Sequence, residues 1–343
     1  MVPLHHATAF GLQAMFLWTD RYRPVPVPNY DQLGSPTYYI LMATRHLDAF
    51  AIPAFLFVSG HFVAFLTRGR EPRWKMFIPR IRTVLIPWVI WTAVRFILLQ
   101  RLPGTIGEVL DTYYFVVLLI QYYLLSVWLV PLAKKHWKAV LFTALLIQLA
   151  WEFPWYLKTI GVSSAELEFL RNATTRWLAP ARIFYFSLGV VAGLHVGALK
   201  RWLARAKWVL GGAVVLFAVL SFVEYEFLRR IAGQEWIGPN NPGFARVVYA
   251  SIFSLWFLAF DKLPSGLAKV LAELGSRSLG IYFMNVPVAY IFAVLMYRFT
   301  PWALGFQPIY QIVLIVTGLG IPLMLMSAVK NHRTRRMYRY LFG

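Results

Sequence analysis

Long apolar runs separated by short polar stretches recur along the whole chain, at about 3–18, 38–66, 83–100, 112–133, 139–157, 177–199, 208–228, 244–260, 278–297 and 308–329. Most approach the roughly twenty residues that a helix needs to cross about 30 Å of hydrocarbon. The first run is short. The pattern predicts an all-α fold, a polytopic membrane helix bundle of about ten transmembrane helices.

Charge alternates between the runs. The stretches 68–82, 134–138, 200–207, 261–277 and 330–339 carry +5, +3, +4, +1 and +5, whereas the intervening loops are close to neutral. By the positive-inside rule this places both termini, the basic loops and the basic tail 330–343 in the cytoplasm. Attraction of an anionic substrate or lipid headgroup is a second use for the same charges. The longest outer loop, 19–37, has spaced prolines and reads as an extended, re-entrant or capping segment. The N-terminus lacks the basic region and small-residue cleavage site of a signal peptide. With no internal repeat or low-complexity tract, residues 1–343 read as one domain.

Composition narrows the function classes. At 59% hydrophobic and 14% charged residues the chain is too apolar for a soluble domain of its length. The net charge of +20 follows topology, so no nucleic-acid partner is expected. The absence of cysteine excludes disulfides, thiolate metal sites and a cysteine nucleophile. No HExxH motif occurs and the histidines lie in different runs, so no metal is expected either. Nothing resembles a nucleotide-binding domain, which argues against ATP-driven transport.

Ionisable groups inside a span cost roughly 2.5 to 3.5 kcal/mol each, so they mark pairs or working sites. The stretch from Arg45 to Pro87 is therefore the first place to seek chemistry. One long apolar helix there carries Arg45, His46, Asp48 and His61, followed by a loop crowded with Arg and Lys. Arg45 and Asp48, three positions apart, can pair on one face at the helix's outer end. Arg182, deeper in its run after Pro180, needs a partner or water.

Several segments, in order, resemble the acyltransferase family 3 of integral-membrane O-acyltransferases. They are FAIPAFLFVSGHF with Ser59 and Gly60, FIPRIRTVLIPW at 77–88, YYFVVLLIQYYLL at 113–125, LAPARIFYFSLGVVAGLH at 178–195 and SLGIYFMNVP at 278–287. The resemblance implies transfer of an acyl group, often acetyl, from cytoplasmic acyl-CoA to a hydroxyl of a carbohydrate, lipid or similar acceptor. It implies no bound cofactor. The expected partners are the lipid bilayer, acyl-CoA and a glycan or lipid acceptor, in a multi-pass protein of the cell membrane of bacterial inner or plasma type.

The family's Arg and His, ten residues apart on the first helix, are matched at the His end by VPLHHATAFG. His6 is the better-placed catalytic candidate, with His5 beside it. The Arg would fall about five residues before Met1, so either the first helix is shortened at its N-terminus or this copy lacks the residue. A hydroxyl attacking a thioester must lose its proton, and an imidazole suits that role. His5 and His6 lie about 100° apart around a helix, so only one faces the bundle. Arg80 matches a basic position seven before Pro87; the family's second basic position is Thr83 here, with Arg82 displaced by one. Tyr282 stands where the family often has Tyr, and Asn285 where it has a later His. These residues, with His61, Ser59, Arg45 and Asp48, are the substrate-binding candidates. Two other classes stay open. A secondary transporter or flippase would show repeated halves with broken helices, and a non-catalytic membrane protein could use the same scaffold.

Overall fold

Pro53 breaks the helix expected over 38–66. In the computed structural model, which describes residues 1–18, 33–68, 70–234, 243–260, 264–329 and 335–343, α1 (Val2–Gln13) is followed by α2 (Pro36–Leu47) and α3 (Ala51–Leu66). Pro53 has no N–H to give the carbonyl of Ala49, and its ring crowds that group. Continuous helix is therefore stopped just ahead of it. Asp48 caps the C-terminus of α2 with φ −92° and ψ 0°. Ser35 caps its start, accepting from the Tyr38 amide at 3.1 Å. The loop expected over 19–37 lies outside the described residues as far as Gln32.

The remaining elements are α4 (Trp74–Leu98), α5 (Ile106–Asp111), α6 (Tyr114–Thr159), α7 (Ala165–Ala173), α8 (Ile183–Leu194), α9 (Val196–Ile231), α10 (Phe244–Leu258), α11 (Ser265–Ser276), α12 (Ser278–Phe299), α13 (Gln307–Val329) and α14 (Arg335–Phe342). Among the described residues there is no strand. Among the described residues, six helical stretches are long and apolar enough to cross a membrane: Pro36–Leu66, Trp74–Leu98, Tyr114–Thr159, Val196–Ile231, Ser278–Phe299 and Gln307–Val329.

Two of the expected basic loops are helical instead. Residues 134–138 lie inside α6, where His136 alone leaves helical geometry, with φ −135° and ψ 48°. Residues 200–207 lie inside α9. KRWLARAK contains no Gly or Pro and is rich in helix-favouring residues, so nothing local ends the helix there.

Contacts divide the chain into two compact units, Met1–Ala49 with Val89–Leu99 and Pro264–Gly343, and Phe50–Trp88 with Gln100–Leu263. In the first unit α1 is bedded on α12 and α13 through Ala7, Ala14, Ala293, Leu304, Tyr310 and Leu314. Gly11 permits this closeness, since a Cβ there would stand 2.5 Å from Gln311 Nε2. Phe342 of α14 is buried with Ile281, Met284 and Met326, and the Trp91 indole donates to the Leu341 carbonyl at 2.8 Å.

The second unit is built on α8 against α3 and α6. Gly189 and Gly193 form a G-x-x-x-G stripe that faces Phe57, His61 and Ala64 of α3, while Gly60 of α3 faces Phe186 and Val190. A Cβ on Gly60 would stand 2.2 Å from the Phe186 carbonyl oxygen, and one on Gly189 would stand 2.0 Å from that of Phe57. Helix association within lipid depends on such close backbone approach. On the α6 side, Tyr122 and Phe186, both fully buried, stack at 4.8 Å.

Candidate active site

The helix break between α2 and α3 sets Asp48 against the first helix. Its Oδ1 lies 2.6 Å from His5 Nδ1. Asp48 is 2% exposed, while the His5 side chain keeps 31% of its surface. A carboxylate this deep in an apolar unit needs a donor. His5 supplies it, and its ring still reaches the surface. His6 sits beside it, the two rings edge-to-face with centroids 5.8 Å apart.

The backbone of α1 is held at the same level. The His5 carbonyl accepts from Thr8 Oγ1 at 3.0 Å and from the Arg45 guanidinium at 3.4 Å. Arg45 is buried, and its charge acts on Asp48. Two residues further along α1, the Ala7 carbonyl accepts from Gln311 Nε2 at 3.0 Å. Arg45 and Asp48 were expected together at the outer end of an unbroken helix. Arg45 lies instead in the last turn of α2 and Asp48 caps that helix at the break, and His5 meets both.

With Asp48 ionised, His5 Nδ1 carries a proton and donates it to the carboxylate. The lone pair is then left on Nε2. A buried acceptor on one ring nitrogen thus sets the tautomer and orientation of the other. The arrangement can take a proton from a hydroxyl. Asp48 Oδ2 is buried and has no partner among the described residues.

Two other candidates in this unit have different surroundings. Asn285 is fully buried on α12 and donates to the Gly318 carbonyl of α13 at 3.0 Å. That bond ties two helices. Tyr282 is half-buried, edge-to-face with Phe283 at 5.7 Å.

The remaining candidates belong to the second unit. The Ser59 hydroxyl is spent on its own helix, donating to the Phe55 carbonyl at 2.7 Å. His61 stacks on Phe57 at 6.5 Å, and its Nδ1 is buried without a partner among the described residues. Arg80 is half-buried and reaches the Met76 carbonyl at 3.4 Å. Arg82 is exposed.

The second unit also answers the question Arg182 raised. Its Nη1 lies 2.6 Å from Glu152 Oε1. Glu152 and Gln148, one turn apart on α6, were hidden in an apolar run, although polar groups four positions apart in such a run mark one helix face. Among the described residues, no three of His, Cys, Asp and Glu gather as metal ligands would.

A family model described as an acyltransferase domain covers residues 8–327. No curated protein and no solved structure matches the chain.

Proposed function

We propose, since the chain belongs to the acyltransferase 3 family and is an acyltransferase, that it moves an acyl group, acetyl first among the candidates, from acyl-CoA to a hydroxyl of a carbohydrate or lipid acceptor. The observation that carries the reading is the 2.6 Å contact between His5 and buried Asp48. His5 Nε2 takes the hydroxyl proton as the new C–O bond forms. The C–S bond of the thioester breaks, and the proton passes to the departing CoA sulfur. Asp48 holds the ring and stabilises the imidazolium that forms in between. The role of base falls to His5 rather than His6, because a buried carboxylate fixes one ring nitrogen of His5.

The alternation of basic and neutral stretches supports ten spans with both termini in the cytoplasm, the side where acyl-CoA is found. The non-helical residue His136 inside α6 and the boundary of α8 with α9 at His195 are compatible with such a count. Arg80 and Arg82, within the +5 stretch, are suited to attract the phosphates of CoA. The protein is read as a multi-pass protein of a bacterial inner or plasma membrane.

The test is acyl transfer by purified protein from radiolabelled acetyl-CoA to a panel of hydroxyl acceptors. His5→Ala should lower turnover by about 10²- to 10⁴-fold, the usual worth of a general base. Wild-type turnover in His5→Ala with loss in His6→Ala would return the role to His6. Loss in neither would end the dyad reading.

A further inference from the structure

The unit formed by Phe50–Trp88 and Gln100–Leu263 contains a second polar centre that the dyad does not use. Residues 174–182 enter α8 as non-helical backbone, apart from a single 3-10 turn at Ala179–Arg182. Side chains of α6 hold this segment. Gln121 bonds the Trp177 carbonyl at 2.7 Å and the Ala179 amide at 3.0 Å. The Tyr122 hydroxyl donates to the Ala179 carbonyl at 2.7 Å. Trp151 and Trp155 donate to the carbonyls of Thr175 and Thr174, each at 3.0 Å. Irregular backbone beside apolar spans is tolerated where protein groups satisfy it or where it lines a polar cavity.

At the end of this segment the side chains exceed what the backbone requires. Gln148 Oε1 accepts from the Phe184 amide at 3.1 Å, near the start of α8. Its Nε2 is buried and faces the Tyr185 phenol without a full hydrogen bond to it, and Gln148 is 0% exposed. Glu152 gives Oε1 to Arg182, yet its Oε2 is buried and unpartnered among the described residues, in a residue 7% exposed. Across the same unit, Glu224 accepts from the amides of Phe244 and Ala245, each at 2.9 Å, at the N-terminus of α10. The charges of Glu152 and Arg246 act on Glu224, and those of Arg182, Glu152 and Arg246 act on the Tyr185 phenol.

Here a carboxylate oxygen of Glu152 is left over, and one helix turn away on α6 the Gln148 amide donor faces the Tyr185 phenol. Two carboxylates and two guanidiniums make the centre neutral overall. A neutral centre offering both donors and acceptors suits hydroxyls, each of which donates and accepts; it gives an anion or a cation no net attraction.

We infer that Gln148, Glu152 and Arg182, with Tyr185, Glu224 and Arg246 around them, form a binding site for a neutral sugar. Gln148 Nε2 donates to a sugar hydroxyl and Glu152 Oε2 accepts from one. The inference rests on the acyltransferase reading only in naming that sugar as part of the acceptor; the site is defined without the dyad.

The test is binding of neutral glucosides and N-acetylglucosaminides, with glucuronate and glucosamine as charged controls, to the full-length protein in detergent. Indole fluorescence and calorimetry report the binding. The neutral sugars should bind, and the charged ones at least ten-fold more weakly. Gln148→Glu, which keeps the acceptor for Phe184 but loses the donor, and Glu152→Gln should each weaken neutral-sugar binding ten-fold or more while eluting as monodisperse protein. Equal binding by both variants, equal affinity for the charged sugars, or no binding by any neutral sugar overturns the proposal. The same titration in His5→Ala separates the two readings. Intact binding there with lost transfer supports both, lost transfer with no neutral-sugar binding overturns the site alone, and surviving transfer with intact binding overturns the dyad alone.

Discussion

His5 and Asp48 meet at 2.6 Å although forty-three positions separate them in the chain. The contact exists because α2 ends at Leu47, so that the Asp48 carboxylate lies in a break instead of along a lipid-facing surface. Asp48→Asn replaces a carboxylate acceptor with an amide of the same shape, which no longer stabilises a charged imidazole. Turnover should fall by at least 10²-fold with the KM for acyl-CoA little changed, read from initial rates across acyl-CoA concentration. A raised KM with normal turnover would instead make Asp48 a binding group.

Gln311 should act through α1. Its amide donates to the Ala7 carbonyl, two residues beyond His5. Gln311→Leu removes that bond, with an expected loss of about 1 kcal/mol in thermal unfolding. Turnover should drop several-fold as α1 loosens. Unchanged turnover in a destabilised variant would confine Gln311 to packing.

The α3–α8 contact is sensitive to a single methyl group. Gly189→Ala would set its Cβ 2.0 Å from the Phe57 carbonyl oxygen, a backbone atom that cannot rotate away. Overpacking of this kind costs about 1 to 3 kcal/mol or more. The variant should lose monodispersity in size-exclusion chromatography. Gly212→Ala, with nothing within 4 Å of its Cβ, is the matched control.

Topology can be mapped in the native background, because the chain has no cysteine. Single cysteines at Lys138, Arg201 and Tyr340 should react with an impermeant maleimide only from the cytoplasmic face. Cysteines at Thr105, Ser164 and Gln234 should react only from the opposite one. Lys138 and Ser164 labelled from the same face would rule out ten spans with an inner turn in α6.

The helical class and the apolar segments were legible because hydrocarbon imposes a length and a composition on any span. The family was legible in ordered segments such as FAIPAFLFVSGHF. The α2–α3 break was also written in the sequence, as Pro53, but apolar residues on both sides mask a missing hydrogen bond. The continuity of α9 through 200–207 was not readable from charge, which reports topology and says little about where a helix ends. Nor did spacing reveal that His5 meets Asp48, since partners on different helices depend on packing between them. Gln148 and Glu152 were overlooked for a simpler reason: two polar side chains in a long apolar run barely alter its hydropathy.

The break at Asp48 also bears on how the protein is made. An unaccompanied carboxylate entering the bilayer costs roughly 2.5 to 3.5 kcal/mol, and the helix bearing His5 leaves the ribosome before the one bearing Asp48. The imidazole is thus already in place when the acid arrives, and the order of synthesis protects the later segment. Removing the first helix should hinder insertion of residues 36–66, so that one contact between two helices also chaperones their assembly.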